Sequence, residues 1–264
     1  MVFNLAAFYN EFTNLQISQT QFRNGAFVPV LQNAPKADIY GIEGDISLEL
    51  FENFNLRAGA TWLHARYKDF IYGGLAVSPL NTVGATGCPS ARGCGGIGIN
   101  SNADPLKTYL NVNALQDLSG KQLVRSPDFS GFVGFDYLVP MGDGGIKLAA
   151  NLKYTDDYIP SNPSLWGGTV QLADGSLSTN DALAGTPFAD RAGDQRFSID
   201  GYVLVNASIT YTGPSDTYYL RLWGNNLTNE KYPSHYSGTT SFGSYINQAE
   251  PLTYGVTFGA KFGR

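Results

Sequence analysis

The stretch Tyr40-Gly41-Ile42-Glu43-Gly44-Asp45-Ile46-Ser47-Leu48-Glu49-Leu50 alternates apolar and polar residues with a period of two. Its apolar side consists of Tyr40, Ile42, Ile46, Leu48 and Leu50. Successive side chains of an extended strand point to opposite faces, so the stretch predicts a β-strand with one apolar face. The same period returns about eight times along the chain, and we therefore predict an all-β protein.

Eight segments carry this alternation, with aromatic residues at the ends of their apolar faces. They cover residues 3–17, 38–51, 56–70, 129–137, 146–154, 203–211, 218–223 and 254–262, and the aromatic residues are Trp62, Tyr154, Tyr211, Tyr218 and Tyr254. In a soluble protein these faces would need a second layer to cover them, and the sequence predicts neither a helix nor a second sheet for that purpose. We therefore expect lipid to cover them, in an antiparallel transmembrane β-barrel with aromatic girdles.

Composition agrees with a single all-β domain over residues 1–264. The chain has 31 glycines, 16 tyrosines and 16 phenylalanines, and only 15% of its residues are charged, as in a turn-rich and aromatic-rich β protein. A net charge of −5 argues against a nucleic-acid partner, which would require clustered Lys and Arg. No apolar run is long enough for a spanning helix, whereas alternating strands fit the mean hydropathy of −0.15.

The connections between the segments alternate between short and long. The short ones are 52–54, 140–144 and 212–216, and the long, polar ones are 19–37, 72–125, 160–196 and 233–250. Outer-membrane barrels have short periplasmic turns and long extracellular loops, so this order predicts that both chain ends are periplasmic.

Two short turns allow the strand register to be predicted from complementary pairs on both faces. In one hairpin Leu50 would face Leu56 and Glu49 would face Arg57; in the other Tyr137 would face Ile146 and Asp136 would face Lys147. Each register matches apolar with apolar and acid with base.

Several motifs resemble those of TonB-dependent outer-membrane receptors. The stretch from Asn33 to Gly44 is similar to a strand of that family, Trp223-Gly224-Asn225-Asn226-Leu227-Thr228-Asn229-Glu230-Lys231-Tyr232 resembles its penultimate-strand signature, and Glu250 to Gly255 resembles the start of its closing strand. The segment from Gly120 to Pro127 is similar to its lead into an inward-running strand. The order of these motifs extends over nearly the whole chain, and the chain therefore resembles the C-terminal part of such a receptor.

The resemblance implies a fold, a location and partners. The eight or so strands would form part of a barrel of about 22 strands, which closes around an N-terminal plug that this sequence does not contain. The intact protein would lie in the Gram-negative outer membrane and import a scarce, bulky nutrient, such as a ferric siderophore, cobalamin or an oligosaccharide. The inner-membrane TonB complex would supply the energy. The sequence contains no motif for acid–base or nucleophilic catalysis, so we predict no enzymatic activity, no catalytic residues and no cofactor.

Cys88 and Cys94 lie in the longest connection. An oxidising compartment favours a disulfide between them, and a metal site is the alternative, although no third Cys or His lies nearby. The residues Gly93-Cys94-Gly95-Gly96-Ile97-Gly98 match the glycine pattern of a dinucleotide-binding motif. The sequence around them predicts neither the preceding strand nor the following helix that such a site needs. We therefore predict a disulfide and no metal site.

Other candidate residues have two interpretations each. His64 and His235 fit a surface or barrel rim better than the binding of a metal chelate, and Asp156 with Asp157 fits a solvated loop edge better than a cation site. Loop aromatics could stack on a ligand or pack locally; they are Tyr158, Trp166, Tyr236, Phe242 and Tyr245. The sequence assigns no ligand-binding residue.

Two other hypotheses for the whole chain remain. It could be a complete eight-stranded outer-membrane barrel with an adhesive or structural role, its interior filled by side chains. It could also be a soluble, two-sheet, lectin-like module, although the aromatic ends of the apolar faces argue against this.

Overall fold

A computed structural model shows a chain built almost entirely of antiparallel strands. It describes residues 1–23, 26–79, 109–161, 163–165, 169–171, 177–179, 193–195, 197–239 and 243–261. The strands are β1 Val2–Arg23, β2 Ala26–Phe51, β3 Phe54–Tyr67, β4 Ile71–Pro79, β5 Tyr109–Asp117, β6 Phe129–Met141, β7 Gly144–Thr155, β8 Thr169–Gln171, β9 Leu177–Thr179, β10 Tyr202–Thr212, β11 Tyr218–Asn225, β12 Pro233–Thr239, β13 Gly243–Gln248 and β14 Thr253–Ala260. A 3₁₀ turn spans Pro214–Asp216. Within the described ranges, no helix has the length and hydrophobicity of a membrane-spanning segment.

One sheet of eight strands dominates the fold, in the order β1-β2-β3-β6-β7-β10-β11-β14. These are the eight segments that alternate in the sequence, so the predicted all-β, antiparallel architecture is confirmed. The sheet is open, with β1 and β14 at its edges. A closed eight-stranded barrel would require β1 to pair with β14. In the part of the chain that the structure describes, these two strands do not pair with each other.

Large apolar side chains cover one face of this sheet, here called the apolar face. In cross-strand register, Tyr137, Leu148, Ile209, Leu222 and Val256 form one continuous row from β6 to β14. Many side chains of this face are exposed, among them Tyr254 at 79% and Phe258 at 68%. So large an exposed apolar surface is typical of contact with lipid or with another protein.

Aromatic rings form a band at each end of the apolar face. The short turns lie at one edge of the sheet, the turn end, where Phe51, Phe54 and Tyr137 pack together with ring centroids 4.7–5.9 Å apart. The long connections lie at the opposite edge, the loop end, which carries Trp62 and Tyr154. Phe54 and Trp62 delimit nine residues of β3, which matches the roughly 9–11 residues of a tilted membrane-spanning strand.

The two hairpins with a predicted register have tighter turns than expected. Phe51 faces Phe54 in one, and Met141 faces Gly144 in the other, so each turn contains only two residues. Gly142 adopts a φ of 59°, a conformation that glycine reaches without steric cost.

As a result, the predicted pairing of both hairpins is wrong by two residues. The observed pairs include Leu48 with Leu56 and Val139 with Ile146, and the predicted polar pairs, Glu49 with Arg57 and Asp136 with Lys147, are not directly opposite. A shift by two residues leaves every side chain on its predicted face, because faces alternate with the same period.

The long connections contain more regular structure than the sequence predicted. The first was expected to be a loop over residues 19–37, but β1 and β2 continue as a hairpin as far as Arg23 and Ala26. The others carry two small sheets, one of β4, β5, β8 and β9 and one of β12 and β13. Neither small sheet covers the apolar face of the main sheet, which stays exposed in the described residues.

A small buried core forms at the loop end. It contains Ala37, Ala65, Tyr67, Phe70, Tyr72, Leu118, Leu123 and Leu165. Leu15 and Ile17 pack against this core, whereas the sequence placed them on the apolar face. The preceding Asn14 has a φ of 58°, outside the extended region, while the register with β2 continues unchanged on both sides of it. The loop end thus has a core to which both the strands of the sheet and the connections contribute.

Candidate functional site

The second face of the main sheet, the polar face, carries hydrogen bonds that run from strand to strand. Asn4 donates to both carboxylate oxygens of Asp45, at 3.3 and 3.0 Å, and the Asn206 amide donates to Asn151 at 3.0 Å. A concavity of about 400 Å³ opens on this face between β1 and β7, and Lys153 contributes to its lining. In a barrel this face would be the hydrated wall of the lumen.

An ion network joins three strands of the polar face near the turn end. Asp136 on β6 accepts a 2.8 Å hydrogen bond from Arg57 on β3 and lies 3.4 Å from the Lys147 ammonium group on β7. Asn55 also donates to Asp136, at 3.3 Å. The acid–base contact predicted between Asp136 and Lys147 is therefore present, although the pair is diagonal rather than directly opposite.

Aromatic rings on the polar face lie directly opposite glycines of the neighbouring strand. The pairs are Phe8 with Gly41, Phe132 with Gly59, Trp223 with Gly255 and Tyr219 with Gly259. A Cβ added to Gly59 would lie 2.6 Å from the Phe132 ring, and one added to Gly255 would lie 2.6 Å from Trp223. The rings therefore lie across the glycines, and such pairing compensates for the missing glycine side chain.

Three tyrosines meet on the polar side of the loop end. Tyr202 begins β10, and its ring stacks on that of Tyr232 with centroids 3.9 Å apart and an interplanar angle of 16°. Tyr158 is held beside them by two backbone hydrogen bonds with Ile199, at 3.0 and 2.9 Å. Burial and a side-chain hydrogen bond with Tyr202 raise the pKa of Tyr158 to about 12. We call these three residues the tyrosine cluster.

An exposed cation lies next to the tyrosine cluster. Arg125 donates from Nε to the Pro160 carbonyl oxygen at 3.0 Å, and its backbone N–H donates to Ile159 at 2.7 Å. Its positive charge acts on Tyr158 in the direction that lowers the tyrosine pKa, against the effect of burial. The cluster thus combines flat phenol rings with a guanidinium group, a combination that suits a planar, anionic ligand.

A second charged group lies at the loop end, between β3 and the start of β6. Asp128 accepts hydrogen bonds from both terminal nitrogens of Arg66, one of them at 2.7 Å, and from Gln122 at 3.3 Å. The guanidinium hydrogen bonds hold the pKa of Asp128 below its usual range. This bidentate pair fixes β3 against the segment that leads into β6.

The two adjacent aspartates of the sequence lie at the end of β7. Asp156 accepts from the Tyr154 hydroxyl at 3.0 Å and from the Asp157 backbone at 3.1 Å. Burial, followed by the charge of Asp156, raises the pKa of Asp157. Among the described residues, no group of three or more His, Cys, Asp or Glu side chains could hold a metal ion.

The histidines lie in different parts of the molecule. His64 stacks on Tyr40 at the loop end of the apolar face, with centroids 4.5 Å apart, and His235 pairs with Asn247 in the β12–β13 hairpin. The structure does not bring them together.

Only some of the predicted loop residues can be placed. Tyr158 belongs to the tyrosine cluster, and Tyr236 packs against Phe197 with ring centroids 6.0 Å apart. Tyr245 lies on β13, and its side chain is not described. Cys88, Cys94, Trp166, Phe242 and Gly93–Gly98 lie outside the described residues, so the disulfide stays a prediction.

Sequence reasoning did not single out Tyr202, Tyr232 or Arg125. Each carried a signal: Tyr202 directly precedes an alternating segment, Tyr232 ends the penultimate-strand motif, and Arg125 lies in the segment from Gly120 to Pro127 that resembles the family. Nothing in the sequence indicated that the rings stack, because the two tyrosines are 30 positions apart.

The penultimate-strand motif has a structural role. Asn226, with a φ of 50°, accepts from the Glu230 backbone at 2.8 Å and donates to the carbonyls of Glu230 and Glu250 at 2.9 and 3.2 Å. Its own backbone N–H donates to Asn206 at 2.8 Å. One amide side chain therefore joins the end of β11 to the segment before β14.

An antiparallel sheet with one exposed apolar face and one hydrogen-bonded polar face is typical of the wall of a membrane β-barrel. A family model described as "TonB dependent receptor-like, beta-barrel" matches residues 1–227. The chain belongs to this family of TonB-dependent receptor β-barrels. A search of the curated proteins finds no significant relative.

Solved structures agree with this fold. The chain is similar to the ferric yersiniabactin uptake receptor FyuA from Yersinia pestis, with 9% identity, a TM-score of 0.55, and coverage of 97% of this chain and 27% of that one. The siderophore receptor PiuA from Acinetobacter baumannii is 16% identical, with a TM-score of 0.51 and coverage of 97% of this chain and 25% of that one. The copper transporter OprC is 11% identical, with a TM-score of 0.51 and coverage of 98% of this chain and 28% of that one. The chain thus spans about a quarter of the length of these proteins.

Proposed function

We propose that this chain is the C-terminal section of the barrel of an outer-membrane receptor that imports a scarce, bulky nutrient. The observation that carries the proposal is the two-faced sheet, since an exposed apolar face beside a polar, hydrogen-bonded face suits a wall between lipid and a hydrated lumen. Residues 1–264 would act as one part of that wall, with the loop end outside the cell and the turn end in the periplasm.

The section would provide the wall and part of the mouth, while other parts of the protein and its partners would drive transport. An N-terminal plug would close the lumen, and the TonB complex would supply energy from the inner membrane. Neither an enzymatic activity nor a resident cofactor is part of this proposal. We assign these roles to other parts of the protein because the chain covers only about a quarter of each solved relative.

Among ferric siderophores, cobalamin and oligosaccharides, a metal-bearing cargo is favoured. The names of FyuA, PiuA and OprC describe uptake of a ferric chelate, a siderophore and copper. The tyrosine cluster with Arg125 offers ring stacking and a cation at the mouth, both of which attract flat, negatively charged chelates.

The test uses a strain from which the full-length gene has been deleted, supplied with a panel of radiolabelled ferric siderophores, cobalamin and maltooligosaccharides. We expect the full-length protein to fractionate with the outer membrane and to restore uptake of one cargo, and we expect a protonophore to abolish that uptake. A chain of residues 1–264 alone should restore none. Recovery of the full-length protein in the soluble fraction, or energised uptake by the fragment, would overturn the proposal.

A further inference from the structure

The apolar face has a groove where its side chains become small. In one cross-strand row, Gly44, Ala60 and Gly131 face one another on β2, β3 and β6, with Leu5 on β1 and Tyr154 on β7 at either side of them. Three neighbouring strands thus lack a large side chain at the same level. The resulting groove has a volume of about 770 Å³, within the roughly 300–1,000 Å³ of ordinary small-molecule sites.

Large side chains form both walls of this groove. The wall towards the loop end consists of Ile42, Trp62 and Phe129, and the wall towards the turn end consists of Phe3, Ile46, Val133 and Leu152, with the small Ala58 interrupting it on β3. Ala58 widens the floor on β3. The groove therefore lies between the two aromatic bands of the apolar face.

The width of the groove selects its occupant. Side chains of one face recur every two residues, about 7 Å along a strand, so the loss of one row leaves space about one side chain wide. An α-helix, which is about 10–12 Å in diameter with its side chains, is too wide to enter. A single hydrocarbon chain fits between the walls and would replace the contacts that the missing side chains cannot make.

Polarity rises in one direction from the groove. Along the same face of β3 the residues are Ala58, Ala60, Trp62, His64 and Arg66, so the small floor is followed by an aromatic ring and then by polar groups. The ring of Tyr40 stacks on His64 and lies edge-on to Trp62, with centroids 4.5 and 6.0 Å apart. This order of surfaces matches a membrane lipid, whose apolar chain lies below its interfacial and polar groups.

We propose that this groove binds one acyl chain of a membrane lipid, which seats the lipid at a fixed position on the barrel wall. The inference rests on the proposed membrane location. The Arg66 and Lys68 side chains above the groove are already paired, since Arg66 binds Asp128 and Lys68 lies 2.9 Å from Asp38. Recognition therefore depends on the chain rather than on the headgroup.

The experiment compares Ala60→Leu, which fills the floor, with Ala150→Leu, which adds the same side chain to the same face outside the groove. Ala60 is exposed, and Ala150 faces Phe135 and Ala207. The full-length proteins are purified from membranes, loaded with dipalmitoyl phosphatidylethanolamine, washed with detergent and examined by native mass spectrometry. We expect Ala60→Leu to retain one lipid fewer, and Ala150→Leu to match the wild type.

Equal lipid retention by all three proteins would overturn the inference. A wild-type dimer that dissociates in the Ala60→Leu variant would also overturn it, because a second protein copy would then occupy the groove. Membrane fractionation and nutrient uptake are measured on the same strains. Loss of the retained lipid with normal uptake supports the groove. Unchanged retention in a protein that still transports refutes the groove alone, whereas a protein absent from the membrane refutes the proposed function.

Discussion

Arg57 on β3 donates a 2.8 Å hydrogen bond to Asp136 on β6, although Gly134 is the residue directly opposite Arg57. The long guanidinium side chain reaches the diagonal position because that part of the polar face carries only a glycine. Lys147, 3.4 Å from the same carboxylate, binds it from the other side. A single acid thus joins three strands near the turn end.

Replacing that acid should destabilise the sheet. Asp136→Ala leaves Arg57 and Lys147 as neighbouring cations without this carboxylate, and because both side chains are more than half exposed we expect a loss of about 1 kcal/mol in the free energy of unfolding. The measurement is urea unfolding of the full-length protein in detergent micelles. Asp143→Asn, in the exposed turn between β6 and β7, is the control and should have little effect. Equal stabilities of Asp136→Ala and the wild type would show that the network contributes nothing.

Two glycines of the polar face should differ in their tolerance of alanine. A Cβ on Gly41 would lie 2.4 Å from the Trp62 carbonyl oxygen, which is backbone, whereas on Gly59 it would meet the Phe132 ring. That ring is 48% exposed and can swing away. We expect Gly41→Ala to cost about 2–4 kcal/mol and Gly59→Ala about 1 kcal/mol.

The same unfolding measurement checks this order. Phe132→Ala, combined with Gly59→Ala, should remove the clash and make the alanine at position 59 nearly neutral. A larger cost at Gly59 than at Gly41 would contradict the view that backbone, not the ring, is the rigid neighbour.

The sequence predicted the membrane part of the fold well because lipid on one side and water on the other impose a strict period of two. Ile42 and Glu43 lie on the predicted faces for this reason. The strand register was harder to predict, because a shift by two residues leaves every side chain on the same face of the sheet. Leu56, for example, faces Leu48 rather than the predicted Leu50. The predicted loop over residues 19–37 was wrong because this stretch shows no regular alternation of apolar and polar residues, although β1 and β2 pair through most of it.

The candidate site was the least predictable part. The tyrosine cluster unites Tyr158, Tyr202 and Tyr232 from three segments, and the buried core joins Phe70, at the end of an alternating segment, to Leu118 in a connection without a period. Such contacts depend on how the connections fold over the sheet. The local pattern of residues contains no information about that path.

Acid should weaken the contact between Arg66 and Asp128. The pKa of Asp128 is lowered in the folded protein, against about 3.9 for a free aspartate. The pair therefore contributes its full stability above about pH 4, and the contribution is lost as the pH falls through the lowered pKa.

Asp128→Asn should be less stable than the wild type at pH 7, by about 1 kcal/mol or less because the pair is partly exposed. The difference should vanish in strong acid. Unfolding in urea at several pH values checks this, with Asp200→Asn, an exposed aspartate, as the control. A difference that persists unchanged at the lowest pH would exclude the ionised pair as its cause.

The predicted disulfide between Cys88 and Cys94 has a direct chemical test. Protein purified without reductant should not react with a thiol-alkylating reagent at these positions, and should react at both after reduction, as peptide mass spectrometry would show. The short span between the cysteines predicts a stabilisation on the order of 2 kcal/mol. Alkylation of both thiols before reduction would favour another role for them.

The tyrosine cluster should determine cargo affinity at the mouth of the receptor. Tyr202→Ala removes the ring that stacks on Tyr232, and we expect a roughly 2–10-fold rise in the cargo concentration for half-maximal uptake, the equivalent of one aromatic contact. Tyr202→Phe keeps the stacking and loses only the hydrogen bond with Tyr158, so its effect should be smaller. Tyr211→Ala, at the turn end of the apolar face, is the control, and outer-membrane levels of all variants are measured by immunoblot. Unchanged affinity in Tyr202→Ala at wild-type levels would mean that the rings only pack the loop end.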